Sequence, residues 1–142
     1  MTGRSRDSAR RASALGAFGI DVLLVVVFAV IGRASHERGL TVAGVWETAW
    51  PFLAALGIGW PALFAWRSPR RIFPTGVALW LVTVAGGMLL RAASGQGTAI
   101  AFVIVATVVL GLLLVGWRAF AGVVGRLRQR GSGRHSDRIG RA

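Results

Sequence analysis

Residues 97–117 read GTAIAFVIVATVVLGLLLVGW, and this stretch decides the fold. Its 21 residues contain no charge and no proline. At the helical rise it reaches about 30 Å, the thickness of a bilayer's hydrocarbon core. A buried helix in a small soluble protein is rarely apolar on every side, so lipid is the solvent for this segment.

Composition extends that reading to the whole chain. Of 142 residues, 54% are hydrophobic and only 15% charged, and the mean hydropathy is +0.62. This is the balance of an all-α, multi-pass membrane protein with room for one bundle of about four helices. The absence of cysteine excludes disulfides, thiolate nucleophiles and cysteine-based metal sites. A net charge of +12 raises the question of nucleic acid, but arginine is gathered in two tails and one loop, and there is no lysine. Basic flanks that set orientation against anionic headgroups explain that pattern without nucleic acid.

Outward from the deciding stretch, the sequence predicts three segments. Residues 1–13 form a basic N-tail without apolar periodicity, expected to be disordered. Residues 14–125 form the membrane domain, with spans at about 14–32, 42–66, 74–92 and 98–117. Residues 126–142, rich in Arg, Gly and Ser, form a second tail expected to be disordered. Arg10-Arg11 before an apolar run hints at a signal peptide, but Asp21 interrupts that run and no A-x-A pattern follows. Thr41 is a natural N-cap for the second helix, Pro51 and Pro61 should kink it, and Pro74 suits the first turn of the third.

Orientation follows from arginine. With a cytoplasmic N-terminus, fourteen arginines lie inside and three (Arg33, Arg38, Arg91) outside, so both termini are expected in the cytoplasm. Trp66-Arg67 and Trp117-Arg118 both fall at the inner boundary, and the turns after helices one and three share Arg-Ala, Ser and Gly. Two hairpins related as a parallel repeat would produce this, and interface physics alone would produce the Trp-Arg pairs.

Polar groups inside spans are costly and usually face the bundle interior. Asp21 lies about 16 Å from the outer end of helix one. Thr83 and Thr107 reach similar depth, so Asp21, Trp80, Thr83 and Thr107 are expected to form one buried polar cluster. Interhelical packing by hydrogen bonds, a proton- or ion-responsive carboxylate, and an Asp21 that simply reaches toward the inner interface are the open readings of it. Thr83-x-x-x-Gly87, Ala55-x-x-x-Gly59 and Thr107-x-x-x-Gly111 are small-residue seams for close helix packing. Near the outer surface Arg33, His36, Glu47, Arg91, Gln96 and Thr98 are the candidate ligand-binding set. They read as an ion pair of Glu47 with Arg91 or Arg33 joining the two outer turns, as a small pocket for an anionic or polar ligand, or as solvated, unrelated charges. His36 has no second ligand at metal spacing, so no metal is expected, and no cofactor. No G-x-S-x-G, H-E-x-x-H or phosphate-binding loop is present, so the chain is not expected to be an enzyme.

The residues also carry a resemblance. Asp21, Gly32-Arg33-x-Ser35-His36, Trp50-Pro51-Phe52, Pro74-Thr75-Gly76 with Trp80 and Thr83, Arg91, Gly95-Gln96-Gly97-Thr98-Ala99 with Phe102, and Trp117-Arg118 together resemble a small prokaryotic membrane family, domain-of-unknown-function family 3054. The resemblance covers residues 20–118 and is most specific at 91–102. It implies a four-span protein of a bacterial plasma membrane and brings no activity with it. Two functions therefore remain: an oligomeric bundle that binds or conducts a small polar solute or ion, and a non-transporting scaffold or interaction protein whose buried polar residues are structural. Membrane lipids, anionic headgroups at the cytoplasmic face and further copies of the chain are the expected partners.

Overall fold

The computed structural model describes residues 2–34 and 40–139. Four helices account for most of them: α1 (Thr2–Ala34), α2 (Val42–Ala62), α3 (Val77–Ala93) and α4 (Ile100–Ile139). A 3-10 turn at Ala65–Arg67 and a π-turn at Ile72–Gly76 lie between α2 and α3. No strand occurs among the described residues. Each helix is long and apolar enough to cross a membrane, the candidate spans being Asp7–Ala34, Val42–Ala62, Ile72–Ala93 and Ile100–Arg128. Each helix packs against its neighbours in sequence, and α4 returns to α1, so the four close a ring. The start of α1, the end of α4 and the α2–α3 connection lie at one end, here the basic end. The end of α1, the start of α2 and the α3–α4 turn lie at the far end.

Helix limits differ from the sequence expectation in three places. α1 is helical from Thr2, through the tail expected to be disordered, and α4 continues to Ile139. Once a span has nucleated a helix, elongation is cheap, and neither tail contains a proline to stop it. α2 ends at Ala62, four residues before Trp66. The chain reverses there because Phe64 takes a left-handed conformation (φ 49°), after which Ala65–Arg67 form the 3-10 turn. Phe64 is held by Trp66, edge-on at 5.2 Å, and by the Arg67 guanidinium 5.0 Å above its ring. At the other end of α2 the expected cap is present: the Thr41 hydroxyl accepts from the Gly44 amide at 3.2 Å.

The core is apolar and filled. Val25, Phe28, Phe52, Leu56, Leu79, Leu110 and Leu114 are completely buried along the ring axis. Phe28 and Phe52 meet edge-on at 5.3 Å, and Phe102 leans on both near the far end. The small-residue seams behave as the sequence predicts. Ala55 and Gly59 of α2 and Thr83 and Gly87 of α3 are buried where these two helices meet. Gly87 lies directly beneath the Phe52 ring, where a β-carbon has no room.

Gly87→Ala should therefore lower stability by about 1–3 kcal/mol, the usual effect of overpacking a filled core. Gly116 has open space around it, and Gly116→Ala should be neutral or stabilising, by up to about 1 kcal/mol, from helix propensity. Thermal unfolding of both variants in detergent micelles checks the contrast; equal effects would contradict the packing described.

Candidate functional site

Two polar groups interrupt the apolar core, one toward each end. The group toward the basic end is centred on Asp21 of α1. A β-carbon leans toward its own helix N-terminus, so Asp21 leans toward the basic end. α4 runs in the opposite direction, and the side chain of Arg118 climbs back toward the bundle centre. The two meet in a bidentate ion pair, Nη1 to Oδ1 at 2.8 Å and Nη2 to Oδ2 at 2.7 Å, with both side chains fully buried.

The remaining valences are filled. The Trp117 indole donates to Oδ1 at 2.8 Å and the Trp60 indole to Oδ2 at 3.0 Å. Asp21 thus accepts four hydrogen bonds, about the capacity of a carboxylate. Arg118 also donates from Nη1 to the Leu114 carbonyl at 2.6 Å and from Nε to the Pro69 carbonyl at 3.0 Å. Its guanidinium carbon lies 4.7 Å from the Trp117 ring. The Pro69 contact draws the α2–α3 connection under the bundle. The Ser68 and Thr75 hydroxyls close that connection at 2.9 Å, and Thr75 and Gly76 are buried. Gly76 is required here, since a β-carbon would stand 2.7 Å from Arg118 Cδ.

This arrangement corrects the expected Asp21–Trp80–Thr83–Thr107 cluster. Asp21 accepts its hydrogen bonds from Trp60, Trp117 and Arg118, because it leans away from the mid-depth threonines. The Trp80 indole and Thr107 do meet, through the Thr107 backbone carbonyl at 2.9 Å. The Thr107 hydroxyl turns back to the Val103 carbonyl at 2.7 Å. Thr83 is fully buried and its hydroxyl has no partner.

Sequence reasoning missed Arg118 by counting it among the basic flanks. The signal was available: residues 119–125 (AFAGVVG) continue the apolar run beyond it, which places Arg118 inside a long span rather than at its edge. The two Trp-Arg pairs also part company. Trp117-Arg118 is built into the core, whereas Trp66-Arg67 is exposed on the 3-10 turn.

At the far end the structure brings together part of the expected set. Arg91 donates from Nη1 to Gln96 Oε1 at 2.8 Å and from Nη2 to the Gly97 carbonyl at 3.1 Å, and its guanidinium carbon sits 4.3 Å over the Phe102 ring. These contacts fasten the α3–α4 turn, while Arg91 Nε is buried without a partner. Glu47 is exposed and reaches Arg91 only through its field. No direct ion pair joins these two, which corrects the expectation for Arg91 as the partner of Glu47. Arg33 is half-buried over Gly44 at the start of α2, and Thr98 is exposed. His36 lies outside the described residues. No group of three metal-ligating side chains occurs among the described residues.

A ring of four spanning helices closed by a saturated buried ion pair defines a small polytopic helical membrane protein. The chain belongs to the family "Protein of unknown function (DUF3054)", whose model matches residues 18–121. The match begins three residues before Asp21 and ends three after Arg118, so it contains both ionic partners and the Arg91 turn. No curated protein and no solved structure matches the chain.

Removing one partner of a buried pair strands the other charge. Asp21→Asn and Arg118→Met should each lower stability by about 3–5 kcal/mol. The double variant Asp21→Leu/Arg118→Met removes both charges and should recover part of that loss, the remainder being the Trp60 and Trp117 indoles left without an acceptor. Denaturant unfolding of the three variants in micelles checks the coupling; a double variant no better than the singles would show that the pair is not the source of the loss.

Proposed function

We propose that this protein is a non-transporting interaction protein of the bacterial plasma membrane, with its basic end in the cytoplasm. One observation carries the reading: Asp21, the ionisable group deepest in the bundle, already accepts four hydrogen bonds from three side chains at full burial. A carboxylate so occupied offers no acceptor to a passing solute, and the filled apolar axis above it offers no polar route. The buried ionic group then serves to hold the helices, and the exposed surfaces do the work of recognition. The reading assigns no catalysis and no metal to the chain. The arginine bias that supports the orientation survives the burial of Arg118, because the tails and the α2–α3 connection supply most of it.

A second reading, binding or conduction of a small polar solute by a homo-oligomer, rests on Arg91. Its Nε is the one charged donor among the described residues that is buried without a partner. A ligand at the far end, between protomers, would supply the missing acceptor.

Two measurements test these statements. The chain has no native cysteine, so single variants report topology without background. A membrane-impermeant maleimide should label Thr41→Cys in intact cells and Ser5→Cys only after lysis; the reverse pattern would invert the orientation. In proteoliposomes carrying a potassium or proton gradient, the protein should add no flux to that of empty vesicles. A protein-dependent flux that Arg91→Ala abolishes, with folding retained, would transfer the assignment to the second reading.

A further inference from the structure

The basic end carries a surface feature outside the ion pair. Between α1 and α2 runs a groove of about 280 Å³, open to the side of the bundle. Phe18 and Trp60 meet edge-on at 5.2 Å and form its floor. Ala14 and Leu15 form one wall, Gly57 and Pro61 the other, and Trp66 stands at its mouth. The lining is almost wholly apolar. Its floor is firm because the Trp60 indole is tied from behind to Asp21.

The rim has the opposite character. Arg10 and Arg11 lie four residues before Ala14 and Leu15, on the same face of α1 and one turn nearer the basic end. Arg67 follows Trp66 directly in the 3-10 turn, and Arg70 and Arg71 lie further along the same connection. All five are exposed. Arg67 is held in place by the Phe64 ring. Asp7, one turn before Arg10 and Arg11 on α1, forms no ion pair with either. Such a rim repels the same rim on a second copy and attracts an anion at headgroup level.

We propose that this groove is a binding site for one anionic phospholipid. An acyl chain lies along Leu15, Phe18 and Gly57, and the phosphate sits between Arg10-Arg11 and Arg67. Tryptophan at the mouth matches the boundary between headgroup and hydrocarbon. The site names a partner for the interaction reading without depending on it, because lipid retention and ion flux are read by separate assays.

Native mass spectrometry of the full-length protein, titrated with phosphatidylglycerol or phosphatidylcholine in a mild detergent, tests the site. The wild type should retain one phosphatidylglycerol in clear preference to phosphatidylcholine. Arg10→Gln/Arg11→Gln and, separately, Arg67→Gln should weaken phosphatidylglycerol binding about fivefold per arginine removed and leave phosphatidylcholine binding unchanged. Gly57→Phe, which fills the slot from a position with open space around it, should reduce binding of both lipids. Arg126→Gln/Arg128→Gln, on α4 away from the groove, should change neither. Equal retention of the two lipids by the wild type would overturn the proposal. So would rim variants that behave as wild type, or an equal loss in the α4 variant, which would reduce the effect to diffuse attraction by basic tails. Circular dichroism confirms that each variant is folded, and Arg67→Gln, an exposed change in a turn, keeps the test informative if Gly57→Phe does not fold.

Discussion

A charge pair in a medium that cannot solvate it is the constraint on which this bundle depends. Burying Asp21 and Arg118 is unfavourable for each ion alone, and only a near-complete set of partners offsets that cost. The partners come from every part of the fold. α1 supplies the carboxylate and α4 the guanidinium together with the Trp117 indole. α2 supplies the Trp60 indole, and the α2–α3 connection supplies the Pro69 carbonyl. α3 contributes space, through Gly76 at its start. The first and last helices of a four-helix ring have no short loop between them, and this pair is what closes the ring at the basic end.

The far end is held by different means. There the Phe28, Phe52 and Phe102 rings fill the axis, and Arg91 fastens the α3–α4 turn through Gln96 and the Gly97 carbonyl. In a membrane the apolar packing carries little solvent-driven attraction between helices, so close contact at small residues matters more. Gly87 beneath Phe52 is the clearest instance. One end is thus fixed by saturated electrostatics and the other by shape. On the proposed interaction reading, the interior holds the helices and recognition belongs to surfaces such as the groove between α1 and α2.

Most of the architecture was legible in the chain. Four apolar runs separated by arginine, proline and glycine can only be spans, since lipid leaves backbone polar groups no partner outside a helix. The Thr41 cap and the small-residue seams followed from residue type and spacing. The site was less legible. Depth along one helix placed Asp21 inside the bundle, where it is buried, but chose the wrong companions, because residue counting ignores the direction in which side chains lean. Arg118 was hidden by its neighbours: an arginine after a tryptophan near the end of an apolar run is what an interface anchor looks like.

Sequence by itself therefore determined the class of protein, the number of spans and the polar residues that the membrane would make costly, because those depend on local transfer of each segment into lipid. Which polar groups meet was decided by the tertiary structure alone. The partners of Asp21 lie 39, 96 and 97 residues away. Their meeting depends on the antiparallel course of α1 and α4, on opposed side-chain tilts, and on a connection that folds under the bundle at Pro69. None of these is a property of any segment read alone.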